Sequence, residues 1–237
     1  MLGAKLGITS KQYNIVTDGL VVDWNPMFNK GTDGTAGLYN LANTGSLSYC
    51  SASLSNCTYA YSGSRYTDAD GTDEYGTMPF GAAPWTMNTI DIWIRHTGEA
   101  MCGVWVYGAD TFNSNSWSWS IAIYGTTNQS MEQYTQSNYT TSWAKYTYSV
   151  PETGWTNLTL VRDDASNDAK AYKNGVLYAT STGAGTTAIR ALGDRMLLFQ
   201  TGTQYFRGQV GPMKVYDRAL SAGEVMQNYN ATKDRYT

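Results

Sequence analysis

Apolar and polar residues alternate with a period of two in many short stretches of this chain, and a helical period is rare. The clearest stretch is Ile90-Asp91-Ile92-Trp93-Ile94-Arg95. In an extended strand its three isoleucines fall on one face and Asp91, Trp93 and Arg95 on the other. Val104 and Val106 alternate with Trp105 and Tyr107, while Trp117, Trp119, Ile121 and Ile123 share a face opposite Ser116, Ser118 and Ser120. One hydrocarbon face and one Ser/Trp/Tyr face is what two stacked antiparallel sheets require. Further strands are predicted at Gly19–Trp24, Trp155–Val161, Ala169–Lys173, Val176–Ala179, Met196–Phe199 and Tyr205–Tyr216. Residues 125–149, nearly all Thr, Ser, Asn, Gln and Tyr, read as extended, and 29–64 as long loops between short strands.

The punctuation between these runs is specific. Asn25-Pro26 closes the first strand, and Asp163 to Asp168 forms a polar turn. Asn174-Gly175 supplies the two positive φ angles of a type I′ hairpin. Val210 and Val215 are an odd number of residues apart across Gly211-Pro212, so that strand must bulge or lie at an edge. The one convincing helix opens at Ser221-Ala222-Gly223-Glu224, a capping box, with Val225, Met226 and Tyr229 on one face. With no repeat or linker, the chain reads as an N-terminal arm (1–17), one domain (18–232) and a C-terminal tail (233–237). The fold class is all-β, an antiparallel two-sheet jelly roll with a short terminal helix.

Composition narrows the classes. Charged residues are only 15% of the chain, while Tyr (19) and Trp (8) far outnumber Phe (5). Hydrophobic content of 42% with a net charge of −3 excludes a disordered chain. A pI of about 5.1 and scattered Lys and Arg give no footprint for nucleic acid. No run of 18 apolar residues exists, so membrane insertion is not expected, and Met1 to Tyr13 lacks the apolar core of an export signal. Three cysteines cannot all pair: Cys50 and Cys57 could close a small loop, but reduced thiols are the expectation. Sequons at Asn56, Asn128, Asn138, Asn157 and Asn230 are the chance yield of a chain rich in Asn and Thr.

Several strings are similar to a known family. Phe206 to Ser221, with Tyr216-Asp217-Arg218-Ala219-Leu220-Ser221 at its end, resembles the terminal motif of the laminin-G-like, concanavalin A-like lectin/glucanase superfamily. Asp70-Gly71-Thr72-Asp73-Glu74-Tyr75, Trp85 to Arg95, and Trp155 to Leu177 with its Asn-Gly hairpin agree in order, so the resemblance covers about residues 18–232. Asn14 to Val21 and Glu224 to Lys233 resemble laminin-G-like proteins of tailed, especially marine, bacteriophages. That resemblance implies a virion component.

Glycoside hydrolases share this superfamily, and retaining hydrolysis needs two carboxylates about 5 Å apart. The five glutamates, Glu74, Glu99, Glu132, Glu152 and Glu224, form no Glu-x-Asp-x-x-Glu set, so no catalytic residue is assigned. His96, the single histidine, excludes multi-histidine zinc sites. Asp68, Asp70 and Asp73 are the candidate ligands for a calcium ion, a cation that takes carboxylate and carbonyl oxygens. Trp93, Trp105, Tyr107 and Tyr124, read as lying opposite the aliphatic faces of their strands, are the candidate platform for stacking a sugar, with protein contact as the competing use. The expectation is a non-enzymatic, self-associating protein on the surface of a virion, a decoration or adhesion module. Its arm would tether it to a capsid, neck or tail protein, with host glycans as a second partner. A soluble, calcium-dependent lectin is the alternative, and a glycoside hydrolase the third.

Overall fold

The computed structural model describes residues 14–26, 36–38, 41–42, 52–55, 58–60, 66–73, 75–79, 88–96, 102–107, 119–124, 130–137, 142–149, 154–163, 165–166, 168–182, 195–198, 200–201 and 204–236. The first sheet contains β1 (Leu20–Trp24), β4 (Thr58–Ala60), β5 (Tyr66–Asp70) and β7 (Thr89–His96). It also contains β12 (Thr156–Asp163), β13 (Asp168–Lys173), β14 (Val176–Thr182) and β18 (Arg207–Tyr216). Its order is β14-β13-β12-β7-β18-β5-β4, with β1 also paired to β18. The second sheet is formed by β2 (Ala36–Leu38), β3 (Ala52–Ser55), β6 (Tyr75–Pro79), β8 (Cys102–Tyr107), β9 (Trp119–Tyr124), β10 (Ser130–Ser137), β11 (Ser142–Ser149) and β15 (Arg195–Leu198). Its order is β11-β10-β9-β8-β15-β6-β3-β2. β16 (Gln200–Thr201) and β17 (Gln204–Tyr205) make a small ribbon, and helix α1 (Ala222–Thr232) follows the last strand. The molecule is thus mostly antiparallel β with one short C-terminal helix, as a jelly-roll sandwich requires. Residues 125–149 contribute β10 and β11, as their extended reading anticipates.

Local chemistry sets the connections. Asn174 and Gly175 have φ of 52° and 78°, the left-handed pair of a type I′ turn between β13 and β14. Against β7, the register of β18 shifts between Val210 and Met213, which is the bulge at Gly211-Pro212. β18 lies in the interior of the sheet, and the bulge divides it: Arg207 to Val210 pair with β5, Met213 to Tyr216 with β1. Pro212, which has no N–H to donate, falls where the ladder changes hands.

The isoleucines of β7 build the aliphatic face. Ile90 lies opposite Leu160 and Val215, and Ile92 opposite Leu158 and Met213, all 2% exposed or less. The other face of the same strands is covered by the chain ends. Leu20, Val161, Tyr172, Tyr216, Leu220 and Val225 pack together there with Val16. Ser221 accepts from the Glu224 amide and Glu224 answers the Ser221 amide, so the capping box forms. The helix buries Val225, Asn228 and Thr232, while Met226 and Tyr229 are half-buried.

Two boundaries read from the sequence move. The expected arm lies outside the described residues as far as Tyr13, but Asn14 to Thr17 lie on the helix. The Val16 amide donates to Asn228 Oδ1 (2.9 Å), the Val16 carbonyl accepts from the Tyr216 hydroxyl (3.1 Å), and Gln227 donates to the Asn14 carbonyl. The expected tail also belongs to the body. Tyr236 is buried, because its ring fills the space between Trp93 and Trp155. Cys50 and Cys57 lie outside the described residues.

Candidate functional site

The second face of β7 carries Asp91, Trp93 and Arg95 in succession, and the three meet different surroundings. Asp91 is 1% exposed. In register it faces Thr159 of β12 on one side and Lys214 of β18 on the other, and Lys214 faces Asp23 of β1. Lys214 Nζ lies 3.3 Å from Asp91 Oδ2, while Asp91 Oδ1 accepts from Asn157 Nδ2 (2.7 Å) and Thr159 Oγ1 (3.1 Å). Burial pushes the Asp23 carboxyl up, Lys214 pulls it back down and Asp91 adds to the rise. Two carboxylates therefore flank one ammonium beneath the chain ends. A sealed row of this kind admits no polysaccharide.

Trp93 does turn away from the isoleucines, as the alternation requires, but it offers no ring to a sugar. It is fully buried: its indole stacks on Tyr229 (5.7 Å between centroids) and Tyr236 (5.0 Å), and its N–H donates to Thr232 Oγ1 at 2.9 Å. The alternation identified the face; it could not show that the last fifteen residues return to cover it. The hydroxyl of Tyr216, held up from its ordinary pKa chiefly by burial, joins Asn228 and Val16 in the same covered layer.

Beyond Trp93 the cover ends. Arg95 faces Gln209, and Gln209 faces Asp68, in one row across β7, β18 and β5. Trp155, two residues before the Asn157 that faces Trp93, enters at the Arg95 end of that row. Its ring lies 5.6 Å from that of Tyr66, and both side chains are half-buried. Arg95 Nη1 reaches Gln209 Oε1 only at 3.5 Å, and Arg95 Nε is shielded from solvent with no hydrogen-bond partner. The neighbouring row sets Arg207 against Asp70, both exposed. The result is a shallow polar surface with two part-exposed rings: donors on Arg95 and Gln209, carboxylate oxygens on Asp68 and Asp70. Sequence inspection had singled out neither Trp155 nor Tyr66. The available signal was Trp155 at a strand start in phase with Arg95, once the pairing of β7 with β12 is known.

Asp68, Asp70 and Asp73 do not come together as a metal-holding set. Asp70 Oδ1 accepts from the Thr72 amide (2.9 Å), closing a turn in which Gly71 has φ 87°. Among the described residues no cluster of three or more acidic, His or Cys groups suits a metal ion. The other three expected ring positions are placed by register. Trp105 faces Ile121 and Leu198, and Tyr107 faces Trp119 and Met196. Tyr124 lies at the end of β9, opposite Ser130 of β10. The pairing of β8 with β9 shifts register between Gly103 and Trp105.

Comparison with known proteins agrees with this architecture. A family described as "Concanavalin A-like lectin/glucanases superfamily" matches residues 70–226. Among curated proteins, none matches the sequence. Among solved structures, the binding domain of botulinum neurotoxin DC in complex with SialylT superposes with a TM-score of 0.68 at 14% identity, over 91% of this chain and 52% of that one. The same toxin domain in complex with rat synaptotagmin II gives 0.67 at 13% identity, over 91% and 52%. Domain 4 of AbnA, a GH43 extracellular arabinanase from Geobacillus stearothermophilus in complex with arabinotriose, gives 0.57 at 13% identity, over 89% of this chain and 98% of that one. The chain spans about half the length of the toxin domains it matches. At such identities these likenesses concern the fold. The family match covers well over half of the sequence, and the chain belongs to the concanavalin A-like lectin/glucanases superfamily.

Proposed function

We propose that this domain is a non-enzymatic glycan-recognition module that binds carbohydrate on the uncovered part of its first sheet. The observation that carries the reading is the half-buried Trp155–Tyr66 pair beside Arg95, whose Nε has no partner, and next to Gln209 and Asp68. A sugar's apolar face stacks on such rings while its hydroxyls donate to carboxylates and accept from guanidinium and amide groups. That two of the fold relatives were solved with a sialylated ligand and with arabinotriose supports the reading. The test is a glycan array probed with the whole chain, with and without a chelator, followed by Trp155→Ala and Arg95→Gln. Binding that both variants lose at unchanged melting temperature is expected. A flat array at high protein concentration overturns the reading, and binding that both variants retain overturns the site. Loss of binding with chelator would restore a role for a cation.

The place of action proposed for this module is the surface of a phage particle, supported by the likeness of Asn14–Val21 and Glu224–Lys233 to phage proteins. Deleting residues 1–13 leaves the docked Asn14–Thr17 segment in place and should abolish incorporation into particles; normal incorporation overturns the tether. Self-association would use β14, an edge strand with Val176, Leu177 and Tyr178 exposed.

A further inference from the structure

The covered row contains three groups whose chemistry an ion pair alone does not use. Lys214, Asp91 and Asn157 sit on the adjacent strands β18, β7 and β12, with exposures of 2%, 1% and 0%. The Asp91 carboxylate holds Lys214 Nζ on Oδ2 (3.3 Å) and Asn157 Nδ2 on Oδ1 (2.7 Å). Asn157 Oδ1 is buried with no hydrogen-bond partner. A leftover buried acceptor is uncommon in a native core and calls for an explanation.

We propose that Lys214 and Asn157 become joined by a side-chain amide bond, with Asp91 carrying the proton between them. The Lys214 ammonium gives one proton to Asp91, and the freed Nζ lone pair attacks Asn157 Cγ. The electron pair of the C=O moves onto Oδ1 and returns as the C–Nδ2 bond breaks. Nδ2 leaves as ammonia, taking the proton that Asp91 relays, and Nζ then gives its second proton to Asp91, which ends protonated. One C–N bond forms and one breaks; no oxidant, nucleotide or cofactor enters. The reactants are an amine and a primary amide, the products a secondary amide and ammonia.

Three features favour the step. The carboxylate touches both the nucleophile and the leaving nitrogen, so proton removal and delivery need no diffusing water. Thr159 Oγ1 donates to Asp91 Oδ1 (3.1 Å), and the Asn157 backbone N–H donates to Asn174 Oδ1 (3.0 Å), which holds the carboxylate and the Asn157 backbone in place. The product also removes the Lys214 charge from a site that water does not reach, where an ion pair recovers its desolvation cost poorly. The bond would tie β12 to β18 across β7.

Intact-mass measurement of the purified full chain decides the matter. A deficit of one ammonia, together with a branched peptide joining the segments around Asn157 and Lys214, is the expected result. A mass equal to the sequence overturns the proposal. So does a deficit mapping to Asn174-Gly175, where succinimide formation also expels ammonia. Asp91→Asn, which leaves nucleophile and acceptor in place, should restore the full mass; a persisting branched peptide would remove Asp91 from the step. The wild-type mass stands even if that variant folds poorly.

Discussion

Along the second face of the first sheet, two neighbouring patches share one sequence pattern and meet opposite fates. Asp91 and Trp93 lie under Val16, Asn228, Thr232 and Tyr236; Arg95, two residues further on, lies beside Trp155 and Gln209 at the margin of that cover. The alternation Asp-Trp-Arg is polar throughout, and nothing within the strand separates its buried members from its half-exposed one. Polarity opposite an aliphatic face therefore marks a layer boundary, which either water or more protein can cover. Here the chain ends supply a third, partial layer.

That contrast can be broken most severely at Trp93. Trp93→Ala removes a fully buried ring stacked on two tyrosines, so a loss of about 3–5 kcal/mol is expected in urea denaturation. A loss below about 1 kcal/mol would mean the cover is loosely held. Ser221→Ala removes the cap that starts the covering helix and should cost about 1 kcal/mol by the same measurement.

The acid response of the cover is smaller and has a definite sign. Hydrogen bonds from Arg218, at 2.7 and 3.1 Å, and from Ser221 hold the Glu224 carboxyl down at about 2, from an ordinary 4.5. A group lowered on folding stabilises above its unfolded pKa, and that contribution fades as pH falls from 4.5 towards 2. The melting-temperature gap between wild type and Glu224→Gln should therefore be widest at neutral pH and close through this window. A gap independent of pH would show that the Arg218–Glu224 pair does not anchor the helix. On the margin, Arg95→Gln should change stability by about 0.5 kcal/mol or less, since Arg95 makes one long hydrogen bond. A larger loss would extend the covered layer to this patch.

Features set by neighbours in sequence were legible. The Asn174-Gly175 turn, the Ser221 capping box and the phase change at Gly211-Pro212 each depend on a few adjacent residues. The family was legible for a related reason: its motifs are those same local devices in a fixed order. The candidate site was not. Trp155 reaches Tyr66 across 89 positions and Lys214 reaches Asp91 across 123, pairings decided by strand order. Within its own strand Asp91 has no second carboxylate nearby, while its partners stand one strand away on either side. Tyr236, four residues beyond the helix, looked like tail because no periodicity extends to it.

The position of β18 has a consequence for synthesis. It is the last strand of the chain and the one on which β1, β5 and β7 all pair. As the chain leaves the ribosome, each of those three strands keeps one edge open until β18 has emerged, and α1 follows only then. The sheet cannot assemble from its N-terminal end by adding neighbours; its two flanks are joined only when the central strand arrives between β7 and β5. A nascent or truncated chain that stops short of Arg207 leaves open edges on β1, β5 and β7, the form most exposed to association with other chains.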